Sequence, residues 1–357
     1  MLRSILLIVV LGCVLGARGA SAVPPDRVKI WFVDSLVKVF PADEPGKHKL
    51  ATPEYWGACN QHVSIQLAIR SRQPITGITA EVQPLEGPGG GKISSVQIHP
   101  VGYVTVGSHT PETPPEELVG EAPGWYPDPL LNFPFDLQAG KTHSLWTTIH
   151  VPSDAVPGTY RGAIVVRTGA REVARARFRL RVAAATVPQE RALKVTNWIF
   201  LDDKVARQFY GVPIFSPEGW KLLENMGRVM AEHRQNVVLT PLIELVQPRV
   251  EDGKLRYDFA RFDRWVETFQ RAGVIGYIEG SHLLGRRGGY DGPLQVATIY
   301  SAGGQVSTEL LSPDDPRVEQ FLADFLPALG GHLKDKGWHS IYFQHVLDEP
   351  HGAEPPY

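Results

Sequence analysis

Two adjacent carboxylates, Asp348 and Glu349, are the residues of this chain best suited by type and spacing to do chemistry. Neighbouring acids in different surroundings can divide labour. One keeps its proton as a general acid while the other stays ionised and stabilises positive charge. They close the run Ile341-Tyr342-Phe343-Gln344-His345-Val346-Leu347, which is apolar and β-prone, and Pro350 follows them. A strand that delivers acids to its carboxyl end is the pattern of α/β barrels, where catalytic groups gather at that end. The plainer alternative is a charged pair on a solvated loop. On a regular strand successive side chains point to opposite faces. Both acids therefore reach one mouth only if the backbone turns there.

Five further residues are candidates for substrate binding. Glu279 and His282 flank the end of the preceding strand, Asn197 and Trp198 belong to the first of the series, and His345 sits just before the acids. Each also has an ordinary structural reading, His345 as a satisfied core histidine. His282 and His345 lack the local spacing of a metal site, and neither HExxH nor an EF-hand loop occurs. The expectation is no metal and no cofactor.

The elements that must position these residues follow a strand–helix alternation after Pro188. Strands are predicted at Leu193 to Leu201, Asn236 to Leu242, Val274 to Ile278 and Ser340 to Leu347. Ser216-Pro217 opens a helix reaching about Arg234, with Leu222, Leu223, Met226, Val229 and Met230 inward. A small hairpin around Asp252-Gly253 precedes a second helix, capped by Asp258, with Phe262, Trp265, Val266 and Phe269 at helical spacing. A third helix opens near Ser312-Pro313, and Pro327 is placed to kink or split it. Between them the Gly-rich stretch 285–311 is too long for an ordinary connection and reads as a functional loop or lid. Repeated βα units imply a parallel sheet with right-handed crossovers.

From Val28 to about Val187 the pattern differs. Short alternating segments, such as Val63 to Ile69, Thr147 to Val151, Gly162 to Thr168 and Ala176 to Val182, are separated by Gly, Pro and Asp. This predicts an all-β sandwich, with no catalytic constellation of its own.

Composition narrows the partners. The 357 residues suffice for two domains, and the formal charge of −2 comes with interspersed signs rather than a basic stripe. Nucleic acid is therefore not expected. Residues 1–22 read as a signal peptide, with Arg3, the apolar run Ile5 to Leu15 and a small-residue cleavage site at Ala20-Ser21-Ala22. The expected location is secreted, periplasmic or cell-surface, with membrane contact only if Cys13 is lipidated. Once the signal is removed Cys59 is the sole cysteine, so no internal disulfide forms. Its expected place is a buried one.

The sequence resembles glycoside hydrolase family 123, the bacterial β-N-acetylgalactosaminidases and their relatives. The likeness rests on Trp125-Tyr126-Pro127-Asp128-Pro129-Leu130, on Trp146, on Val151 to Gly162, and on His233-Arg234-Gln235-Asn236. Phe259 to Gly273 and Leu347-Asp348-Glu349-Pro350 complete it. The resemblance implies a β-sandwich at 23–188 followed by a catalytic (β/α)8 TIM-type barrel, of which 189–357 would be the N-terminal half. It also implies substrate-assisted retaining hydrolysis of a glycan substrate. The sugar's acetamido oxygen attacks its own anomeric carbon, Glu349 acts as acid and then base, and Asp348 orients the acetamido group. The chain ends eight residues after Glu349. The expectation is therefore a barrel cut after about strand four and a polypeptide inactive by itself.

Two other readings stay open. A retaining glycosidase with a covalent intermediate presents Asn-Glu-Pro at this place, whereas here Asp348 stands at the Asn position. An anion suits an acetamido N–H and a developing cation better than an amide does. A non-catalytic carbohydrate-binding surface protein fits the exported sandwich and aromatic content equally well.

Overall fold

In the computed structural model residues 28–199 and 201–350 are described; the signal segment and Cys13 lie outside them. The chain divides into two compact units after Gln189.

The first unit holds β1 (Val28–Val33), β2 (Glu54–Cys59), β3 (His62–Ser71), β4 (Ile75–Glu86), β5 (Lys92–Ile93) and β6 (Val96–Val106). It continues with β7 (Gly124–Leu130), β8 (Phe135–Leu137), β9 (Thr142–His150), β10 (Gly158–Thr168) and β11 (Arg171–Thr186). One sheet runs β1-β3-β9-β6-β7, and the other β2-β11-β10-β4-β5 with β8 on β4. Alternation explains the layering. Val63, Ile65, Leu67 and Ile69 of β3 meet Ile164, Val166, Phe178 and Leu180 of the other sheet in a single core. Each fully buried aliphatic side chain there contributes about 1.5–3 kcal/mol. Arg175, Arg177, Arg179 and Arg181 alternate with them and point outward along β11. Cys59 is buried and donates its thiol to the Ala155 carbonyl at 3.3 Å.

The second unit begins with a one-turn helix α1 (Asp203–Val205) and then α2 (Pro217–Glu232), whose Ser216 cap accepts the Gly219 N–H. Next come β12 (Val237–Thr240), α3 (Leu242–Leu245), the hairpin β13 (Gln247–Glu251) and β14 (Lys254–Asp258), and α4 (Ala260–Arg271). The remainder is β15 (Tyr277–Gly280), β16 (Leu284–Arg286), β17 (Leu294–Ala302), β18 (Gln305–Leu311), α5 (Pro316–Asp335) and β19 (Tyr342–Gln344). Strands β12, β15 and β19 are parallel and adjacent in chain order, and Thr196 adds a parallel bridge to Val237. Val238 and Ile278 pack in one core with Phe262, Trp265, Val266, Phe321 and Phe325. The fold is thus a β-rich domain followed by a βα-repeat domain whose described residues include a three-stranded parallel sheet.

Several expectations change in detail. The strand expected from Leu193 pairs only at Thr196 in the described part. Instead the Asn236 side chain ties that segment down, accepting from the Val195 N–H and donating to the Leu193 carbonyl. Val229 is 55% exposed, because the inward face of α2 follows Trp220, Leu223, Gly227 and Met230. Pro327 lies inside α5 without ending it. It is on the exposed side, where a missing backbone donor is readily tolerated. The Gly-rich stretch after Gly285 is not an open loop. Strands β16, β17 and β18 form an antiparallel sheet, and Gly303 and Gly304 make its tight turn with φ of 58° and 79°. Its alternating Val296, Thr298 and Tyr300 are the strand signal that the glycines obscured.

Candidate functional site

The parallel sheet brings Leu239, Glu279 and Phe343 into one row, facing away from the helix-covered core. Glu279 is the exceptional member, an acid 1% exposed. A carboxylate withdrawn from water costs several kcal/mol unless donors replace the lost hydration. Three donors do so. Thr196 Oγ1 donates to Oε2 at 2.7 Å, and Trp198 Nε1 donates to Oε1 at 3.0 Å. His345 Nε2 lies 2.6 Å from the same Oε1.

The residue after Glu279 is constrained as tightly. A Cβ on Gly280 would lie 2.3 Å from the Tyr342 hydroxyl and 2.6 Å from Gln344 Oε1. The absent side chain lets Tyr342 donate to Gln344, whose amide in turn donates to the carbonyls of Ser281 and His345. This network joins the carboxyl ends of β15 and β19.

Four of the five proposed binding residues, Asn197, Trp198, Glu279 and His345, line one open cleft of about 490 Å³ together with Thr196 and Phe343. The fifth, His282, packs against its wall. Its ring lies 5.0 Å from Trp198 and 4.7 Å from His345. Asn197 is exposed, and its backbone carbonyl accepts from the Gln235 amide at 3.1 Å.

Burial lowers the His282 pKa below its ordinary 6.5, and His345 lowers it further, while the charges of Asp348 and Glu279 oppose this. The unfolded chain therefore holds a proton on His282 over a pH range where the native state does not. The stability this contributes is present above pH 6.5 and is lost as pH falls through the lower native value. His282→Asn is expected to flatten the acid side of a plot of Tm against pH. An unchanged slope would show that His282 does not titrate on unfolding.

Asp348 and Glu349 are exposed and are not among the cleft-lining residues. Among the described residues neither carboxylate makes a hydrogen bond or a close ion pair, so both remain available to a ligand. Asp348 is near enough to His282 for its charge to act there. The strand expected through Leu347 leaves the ladder after Gln344. Beyond it, the carbonyls of His345 and Val346 accept from the N–H groups of Leu283 and Leu284. Leu347 then packs on a small cluster of Leu284, Val296, Leu311 and Val318. Glu349 has φ of 46°. A non-glycine residue in the left-handed region costs about 1–3 kcal/mol and persists only where its surroundings impose it.

Those surroundings include a residue that sequence reading passed over. Arg286 donates from Nη1 to the Asp348 carbonyl at 2.9 Å and from Nη2 to the Glu349 carbonyl at 3.1 Å. Gly288-Gly289, in the turn that joins β16 to β17, was the available signal for an ordered strand at Arg286. Among the described residues no group of three or more His, Cys, Asp or Glu side chains is placed to hold a metal ion.

Comparisons with known proteins agree with this division of the chain. Residues 42–168 match the family described as Glycoside hydrolase 123 N-terminal domain, and residues 201–355 match Glycoside hydrolase 123, catalytic domain. The sandwich and the βα unit thus each match a domain of the glycoside hydrolase class. The chain belongs to glycoside hydrolase family 123.

Among solved structures it is similar to a family 123 glycoside hydrolase from Clostridium perfringens, solved for the details of glycolipid glycan hydrolysis. The two share 16% identity with a TM-score of 0.67, over 89% of this chain and 58% of that one. The likeness is one of fold, and this chain spans less than two thirds of that protein's length. A PapD-like domain of human CEP192 also matches, at 11% identity and a TM-score of 0.20, over 53% of this chain and 100% of that domain. No curated protein matches the chain.

Proposed function

We propose that this chain carries the acid pair of a glycoside hydrolase that removes β-linked N-acetylhexosamine, by family resemblance N-acetylgalactosamine, through a substrate-assisted retaining mechanism. The three parallel strands and the Thr196 bridge are then neighbouring staves of a (β/α)8 barrel, with Asp348 and Glu349 at its mouth. In this reading the leader at residues 1–22 exports the protein.

The observation that carries the proposal is the pair itself. Two consecutive exposed carboxylates, unpaired among the described residues, follow the last strand of a parallel sheet whose strand ends line a cleft walled by Trp198 and Phe343. The acetamido oxygen attacks the anomeric carbon while Glu349 gives its proton to the leaving oxygen. Asp348 accepts the acetamido N–H and stabilises the oxazolinium-like cation. Glu349, now ionised, takes a proton from the water that reopens the ring at the same carbon. No enzyme nucleophile is needed, a recognised exception to the two-carboxylate scheme. One observation favours this over a covalent intermediate within the described cleft. Glu279 is its only lining carboxylate, and both Glu279 oxygens are already engaged.

The test compares an aryl β-N-acetylgalactosaminide with the matching β-galactoside, using the protein in its full natural reading frame. Cleavage of the acetamido sugar alone is expected. Cleavage of the plain galactoside would overturn the mechanism. Binding without cleavage of either would favour a non-catalytic carbohydrate-binding protein.

A further inference from the structure

We propose that Arg286 is the positioning residue of the acid pair. Its guanidinium spans the backbone carbonyls of Asp348 and Glu349 and so sets the turn that brings both carboxylates to one mouth. The inference rests on the glycosidase reading above and adds to it a residue outside the pair.

On a regular strand successive residues alternate in direction, carbonyls as well as side chains. A single planar fork receives two consecutive carbonyls only if the chain has turned between them. Arg286 receives both, at 2.9 and 3.1 Å, and the turn is visible as the left-handed φ of 46° at Glu349. The clamp and the unusual backbone are therefore one feature. It answers the parity problem that two adjacent acids on a strand would otherwise face.

The fork is itself held in place. Strand β16 pairs with β17 through Arg286 and Leu294. The N–H groups of Leu283 and Leu284 make the last backbone rungs to the His345 and Val346 carbonyls. Where that ladder stops, the Arg286 side chain supplies the next two rungs. The Tyr290 ring lies 5.4 Å from the guanidinium carbon, within range of a cation–π contact that fixes its plane.

The bonds go to carbonyl oxygens rather than to the carboxylates. A guanidinium paired with the carboxylates would occupy the acceptors that the substrate needs. Bonded to the main chain, it sets their direction and leaves them open. Lysine, a compact point charge without a planar fork, cannot span the two carbonyls in this way.

Arg286→Ala and Arg286→Lys, made in the full natural reading frame, test the proposal. A catalytic group displaced by about 1 Å can cost about 100-fold in rate. We expect kcat to fall by about that factor in Arg286→Ala, with KM little changed. Guanidinium chloride below denaturing concentration should restore part of the loss in Arg286→Ala and none in Arg286→Lys. Crystal structures of the variants should show Glu349 out of the left-handed region. An unchanged kcat, or a lost kcat with no guanidinium rescue, would overturn the assignment. So would a variant structure in which Glu349 keeps its φ. Arg286→Lys serves where the alanine variant does not fold. The crystallographic arm needs no turnover, so failure of the clamp is separable from failure of the glycosidase reading in the unsubstituted protein.

Discussion

Glu349→Gln is expected to lower kcat by about 10²–10⁴-fold on a glycoside with a poor leaving group while leaving sugar affinity nearly unchanged. The amide keeps the size and hydrogen-bonding shape of the acid but can neither give nor take the proton that the cycle moves twice. The two transfers make the effect depend on the leaving group. An activated aryl oxygen departs with little protonation, so the first step should be less impaired there, and the second, in which water must be deprotonated, becomes limiting. A smaller loss on the activated substrate would therefore mark Glu349 as the acid/base. A variant that still turns over the poor substrate at the parent rate would remove Glu349 from the mechanism. Asp348→Asn provides a contrast, since it keeps an acceptor for the acetamido N–H but removes the charge opposite the oxazolinium-like cation.

The place of the candidate acid pair, just after a parallel strand, was legible in the sequence because its members are adjacent and end an apolar run. What holds it in place was not. Period-two alternation in Val63 to Ile69 and helical spacing in Phe262, Trp265, Val266 and Phe269 are local signals, and the structure follows them. Arg286 reaches Asp348 and Glu349 across 62 and 63 residues, and nothing local marks such a contact. The glycines around it suggested a loop, although a Gly-Gly pair between alternating segments is equally the signature of a hairpin. The same limit applied to the cleft. Glu279, Trp198 and His345 were recognisable as residue types at strand ends. Their convergence on one carboxylate depends on partners 81 and 83 residues away, and Thr196 gave no signal beyond its place beside Asn197.

That convergence leads to the second large effect. Glu279→Ala removes the one acceptor shared by Thr196, Trp198 and His345, and a buried donor left without an acceptor costs about 1–3 kcal/mol. Thr196 is exposed and His345 is half-buried, so water can satisfy part of what they lose. Trp198 is half-buried, and its indole N–H loses the same acceptor. A destabilisation of about 3 kcal/mol is expected, read as a lower midpoint in urea unfolding with an unchanged slope. Glu279→Gln should cost far less. An amide oxygen at the Oε1 position still accepts from Trp198 and His345, and the Thr196 hydroxyl can rotate to accept from the new NH2 group. The pair of variants thus separates hydrogen bonding from charge. If alanine and glutamine are equally destabilising, the charge rather than the three hydrogen bonds is what the fold uses. If neither has an effect, the network does not hold the strand ends together, and other contacts of Trp198 and His345, among them their rings against His282 and against each other, must do so.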